Sequence, residues 1–180
     1  MAICGFGCVD LPAHIGLTCN DEITKGGFYS VGILDCDHSI TDFSLEAQYV
    51  TAIAANELIL VEPIRGDMPA PSAVTGDNLL GCGTDEILDT FDRTFTWIDG
   101  KISEANELFY NALNRKTSFL IMFNCGDDKV HTVLVPVFYQ AMLVIPASKK
   151  EKATWQITAT WNDLDTPQLS NAPVGVFNDN

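Results

Sequence analysis

The residues best equipped for chemistry stand where a hydrophobic run ends, in Val31-Gly32-Ile33-Leu34-Asp35-Cys36-Asp37-His38-Ser39. Two carboxylates one residue apart at the end of a strand can hold Mg²⁺, and the first can attack phosphorus. A later acidic group, Phe123-Asn124-Cys125-Gly126-Asp127-Asp128, could add carboxylates to such a site, although Gly126-Asp127-Asp128-Lys129 between alternating runs is also an ordinary hairpin turn. Cysteines supply another candidate set: Cys4, Cys8, Cys19 and Cys36, with His38 nearby in sequence, are all zinc-ligating types. Their spacing matches no familiar zinc knuckle. The expected reading is small apolar side chains packed under an amino-terminal arm, most of them reduced, with a disulfide between two of them left open. Trp97, Trp155 and Trp161 would stack on sugars if exposed and coplanar, whereas on alternating strands they are expected to pack inside. His14 and His131 are isolated, and no glycine-rich phosphate loop ends in Lys-Ser/Thr. No catalytic, cofactor-binding or metal-ligating residue is therefore assigned, and the chain is expected not to be an enzyme.

Composition narrows the classes. With 180 residues, 47% of them hydrophobic, the chain suits one domain with a real core. Acidic residues outnumber basic ones 24 to 10, for a net charge of -14. That balance works against tight wrapping of DNA or RNA, which needs clustered Lys and Arg. No run of eighteen apolar residues suggests a membrane span. The start, Met1-Ala2-Ile3-Cys4-Gly5-Phe6-Gly7-Cys8, has neither the basic leader nor the apolar stretch of a secretory signal.

The elements that would position these residues follow from hydrophobic period. Residues 1–27 read as an irregular Cys-rich arm or a short edge strand, and Phe28 to Leu34 as a strand. Asp42 is expected to cap a helix from about Phe43 to Ala55, with Phe43, Ala47, Val50 and Ala54 as its stripe. Leu58 to Ile64 reads as a strand, and 66–83, rich in Pro and Gly, as a long loop. Asp92 to Ile98 alternates, with Arg93, Phe95 and Trp97 on one face. Ser103 is expected to cap a helix packed through Leu108, Ala112, Ala105 and Phe109, with Glu104 and Glu107 near its start. Strands follow at Ser118–Asn124, Val130–Phe138, Gln140–Ile145 and Ala153–Trp161, and Pro136 marks either an edge or a bulge. In the last strand Trp155, Ile157, Ala159 and Trp161 share one face, and Gln156, Thr158 and Thr160 the other. The stretch 162–180 reads as a polar tail, loose or draped on another subunit.

The Asp35-x-Asp37 segment resembles the strand-end motif of haloacid-dehalogenase-type phosphatases. The chain lacks their alternating strand–helix order, the length for a cap beside a full sheet, and a persuasive Lys. A second resemblance covers roughly 90–180: Phe91-Asp92-Arg93-Thr94-Phe95-Thr96-Trp97, the helix near 103–114, the hairpin over 118–138 and the strand Thr154–Trp161. Together these resemble tail-tube and related virion proteins of tailed bacteriophages. The resemblance implies a mainly β fold with flanking helices, a β-sandwich or barrel of tail-tube type. It also implies localisation in the virion, partners that are copies of itself and other virion proteins, and rings stacked around a channel through which DNA passes without sequence-specific reading. A capsid-associated or head–tail connector protein is the neighbouring alternative, and a carbohydrate-binding module of a surface or fibre assembly the distant one. Strand edges completed by copies of the chain are the expected means of assembly.

Overall fold

The computed structural model describes residues 27–76, 87–124, 129–148, 150–173 and 175–177. The Cys-rich arm with His14, residues 77–83 of the expected loop, and Asp127 with Asp128 lie outside the described residues. In chain order the elements are β1 (Phe28–Leu34), α1 (Glu46–Ala54), β2 (Leu58–Val61), β3 (Arg65–Asp67), β4 (Ser72–Gly76), β5 (Ile87–Asp99), α2 (Glu104–Leu113), β6 (Thr117–Asn124), β7 (Lys129–Val144), β8 (Thr154–Asp163) and β9 (Gln168–Asn171). Six strands close a barrel in the order β1-β3-β5-β8-β7-β6, with β6 returning to β1 and every neighbour antiparallel. Extra strands extend it: β2 lies on β1, β4 on β5 and β9 on β7. The fold is a mixed α/β one in which a closed barrel carries two helices, as the expectation of a barrel-like β fold with flanking helices required.

Closure depends on one glycine. Gly66 sits opposite both Phe28 of β1 and Trp97 of β5, at the narrow seam where β3 joins the two sides. A Cβ there would lie 2.6 Å from Phe95 Cζ and 3.0 Å from Phe28 Cβ. Only a residue without a side chain lets three strands approach this closely.

Two hydrophobic clusters flank the wall made by β1 and β6. The barrel interior holds Phe95, Trp97, Tyr139, Trp155, Ile157 and Trp161, and α2 adds Phe109, Tyr110 and Leu113. The second cluster lies outside the wall, where Tyr49 and Ala52 of α1 meet Leu34, Leu58, Phe119 and Ile121. Phe177 closes it, stacked on Phe123 at 4.8 Å and edge-on to Tyr49 at 5.7 Å. With both faces covered, β1 and β6 read as near-continuous apolar runs rather than alternating ones.

Several expectations are corrected. The stretch 66–83 is not one loop, since β3 and β4 within it pair with β5. The tail is not loose: β9 pairs with Lys129–Thr132, and Val176 and Phe177 are buried on their own chain. Val130–Phe138 and Gln140–Ile145 are one strand, because Tyr139 continues the inward alternation from Val137 to Ala141. Pro136 marks a bulge, since β6 pairs Leu120 with Val133 and then Ser118 with Val137. Helix α1 starts at Glu46, and Asp42 does not cap it: its Oδ1 accepts instead from the N–H and hydroxyl of Ser44, at 2.9 and 2.7 Å. Edge completion by other copies is narrowed to the added strands: the six barrel strands pair with one another inside a single chain, while β2, β4 and β9 are each paired on one side among the described residues.

Candidate functional site

The acidic pair is built into a turn. Asp35 Oδ1 accepts from the N–H of Asp37 at 3.3 Å, an Asx turn that leaves Asp37 exposed. Next to it Glu57 Oε2 accepts from the N–H and hydroxyl of Ser39 at 2.8 and 2.7 Å, which lowers the Glu57 pKa. His38 is held edge-on to Phe119 at 5.7 Å. Among the described residues no three His, Cys, Asp or Glu side chains gather to hold a metal. Cys36 is disulfide-bonded, which answers for that residue the question of a disulfide that the sequence left open; the other five cysteines lie outside the described residues. Trp97, Trp155 and Trp161 are buried to within 1%, 4% and 1% of full, so none offers a face to a sugar. His131 is half-buried in β7, with its ring 5.5 Å from Phe28. A cleft of about 150 Å³ opens where β8 parts from β7, lined by residues that include Thr132, Val135, Trp161, Asp163 and Gln168. That volume falls short of the roughly 300 Å³ at which organic ligand sites begin.

A different feature stands out on the surface. The wall formed by β5, β8 and β7 presents three outward cross-strand rows: Ile98–Gln156–Met142, Thr96–Thr158–Gln140, and Thr94–Thr160–Phe138. All nine side chains are exposed or half-exposed, with Phe138 at 61% and Met142 at 49%. None carries a charge, on a chain whose net charge is -14. The pattern follows from alternation, since the inward partners Phe95, Trp97, Ile157, Ala159, Tyr139 and Ala141 form the barrel core. Threonine and glutamine dipoles interleaved with three apolar side chains can hydrogen-bond and exclude water, yet they repel nothing.

A second uncharged surface lies on α1. The stripe Ala47, Val50 and Ala54 that periodicity marks as the packing face points outward, while Tyr49 and Ala52 are the residues buried. The stripe on α2 is turned only in part: Phe109 is buried as expected and Ala105 and Ala112 are half-buried, but Leu108 is 60% exposed and Asn106, Tyr110 and Leu113 are buried instead. Sequence reasoning identified Gln156, Thr158 and Thr160 as a distinct face but missed Phe138, Met142 and Ile98. Their signal was the alternation Phe138, Gln140, Met142, obscured when β7 was divided in two.

No helix among the described residues is long and apolar enough to cross a membrane. Compared with known proteins, the sequence matches no family model and no curated protein.

Proposed function

We infer that the chain is a structural subunit that assembles with copies of itself, and that the assembly is the ring-stacked tube of a virion tail suggested by the resemblance over 90–180. The uncovered, charge-free wall of β5, β8 and β7 carries this reading. Molecules of net charge -14 repel one another, so they associate most readily through surfaces where no charge must be desolvated or opposed. Exposed Phe138 and Met142 supply apolar area, and the Thr and Gln rows supply hydrogen bonds around it. The barrel closes within one chain, so each copy arrives with its core complete, and assembly can bury the wall without opening the barrel. In such a tube the acidic balance would keep phosphates of passing DNA from adhering.

The test is sedimentation velocity and negative-stain microscopy of the purified chain over a range of concentrations. Rings or tubes that grow with concentration are expected. A Phe138→Glu, Met142→Glu double variant should fold, judged by circular dichroism, and remain a monomer at concentrations where the parent assembles. A parent that stays monomeric throughout rejects this function, and single rings without stacking shift it toward a connector.

A further inference from the structure

We propose that the contact between copies is head-to-tail, with the outer face of α1 from one copy lying on the β5–β8–β7 wall of the next; this rests on the assembly reading above. Helix α1 is apolar on two sides, since Tyr49 and Ala52 face its own barrel while Ala47, Val50, Ile53 and Ala54 are exposed. An exposed apolar stripe on a helix gains stability when a second surface covers it, and its own barrel covers only the other side. The outward stripe has the three- and four-residue spacing of a packing face, with Val50 56% and Ile53 39% exposed. Among the helical residues Glu46 is the one with a formal charge, at the first position.

Strand order places the two surfaces back to back. Helix α1 packs against β2, the strand added to β1, and through Tyr49 and Ala52 joins the cluster outside β1 and β6; in the ring β1-β3-β5-β8-β7-β6 the strand three places from β1 is β8, the centre of the uncovered wall. Surfaces on opposite sides of one body cannot bury each other within a single copy. A contact between unlike faces repeats from copy to copy and gives a ring or a filament, whereas a like-with-like contact stops at a dimer. Sizes agree: nine helical residues span about 13 Å, and three strands span about 10 Å between outer axes. A helix on a sheet face is also how this chain already buries Tyr49 and Ala52 against residues of β1, β2 and β6. The charge of -14 favours contacts of this kind, because the nine wall side chains and the outward residues Ala47, Val50, Ile53 and Ala54 carry no carboxylate.

Two single variants test it, each adding one carboxylate to one surface: Val50→Glu on α1 and the near-isosteric Gln156→Glu on the wall. Circular dichroism and thermal melting check the fold, and Ala47→Glu with Gln140→Glu stand in if either variant unfolds. Each variant alone should self-associate at least tenfold more weakly than the parent. Mixed together, each still has the good surface the other lacks, so a two-chain species and nothing larger should appear in sedimentation velocity. If Val50→Glu assembles like the parent, wall meets wall and the proposal fails. If Gln156→Glu assembles like the parent, the wall is not used and it also fails. Two impaired variants whose mixture stays monomeric overturn it as well. A monomeric parent rejects the assembly reading itself, an outcome distinct from these three.

Discussion

At the residue scale, two polar groups show how burial changes the role of an ordinary side chain. Asp99, 2% exposed, accepts from the Tyr110 hydroxyl at 2.8 Å and from the Lys101 N–H at 2.7 Å, with Asn106 Nδ2 at 3.4 Å. The same Asn106 receives the Ser103 cap, so one network ties α2 to the end of β5. Burial first, then the charge of Asp99, pushes the Tyr110 phenol far above its usual range, keeping it a donor at any working pH. Tyr110→Phe removes a hydrogen bond to a buried carboxylate and should cost about 1–3 kcal/mol in urea unfolding. His38 carries the pH dependence. Burial lowers its pKa from 6.5, although the backbone at Ile40 and the charges of Glu57 and Asp35 pull upward. Below the unfolded value of 6.5 the unfolded chain binds a proton that the folded chain refuses. The contribution of His38 is thus complete above that value and declines as pH falls through the lowered pKa. Urea midpoints between about pH 7.5 and 5.5 should drop less in His38→Gln than in the parent.

At the element scale the seam at Gly66 decides whether the sheet becomes a barrel. Its missing Cβ leaves Phe95, fully buried, to occupy the space between β1 and β5. Gly66→Ala should destabilise the chain by about 1–3 kcal/mol, as overpacking does, measured by denaturant unfolding. Gly27, whose Cβ would meet only Gly66 O at 3.9 Å, gives a control that should change stability far less. The helices differ in how they begin. Ser103 Oγ accepts from the Asn106 N–H at 3.1 Å, the cap that the sequence announced, whereas Leu45 at the N-cap of α1 supplies no side-chain hydrogen bond. Gln48 Oε1 instead reaches back to the N–H groups of Thr41 and Asp42, at 2.7 and 2.9 Å. A glutamine reaching back over six or seven residues leaves little sequence signature, which is why the start of α1 was misplaced.

At the scale of the whole molecule, the balance between charge and uncharged surface sets how copies meet. If the uncovered faces join molecules of net charge -14, the long-range term opposes association and salt screens it. Self-association measured by sedimentation should therefore strengthen from about 20 to about 300 mM NaCl. An interface held by ion pairs would weaken over the same range. The closed barrel also means that dilution should yield folded monomers rather than unfolded chains, since α2, β9 and Phe177 complete the cores internally.

What the sequence determined by itself is the local periodicity. The inward face of β8, the run of β1, the Ser103 cap and the mainly β character with flanking helices were all legible, because period, cap chemistry and charge act over a few residues. Tertiary structure alone decided which face of each helix turns inward. On α2 the polar Asn106 and Tyr110 are buried because Asp99 waits for them, and on α1 the marked stripe faces out because Tyr49 fits against Phe177. It also decided that the sheet closes upon itself, that 65–67, 72–76 and 168–171 pair as strands, and that nine uncharged side chains from three distant strands form one wall. Those outcomes depend on contacts between residues far apart in the chain, and no local pattern encodes which partner a strand will meet.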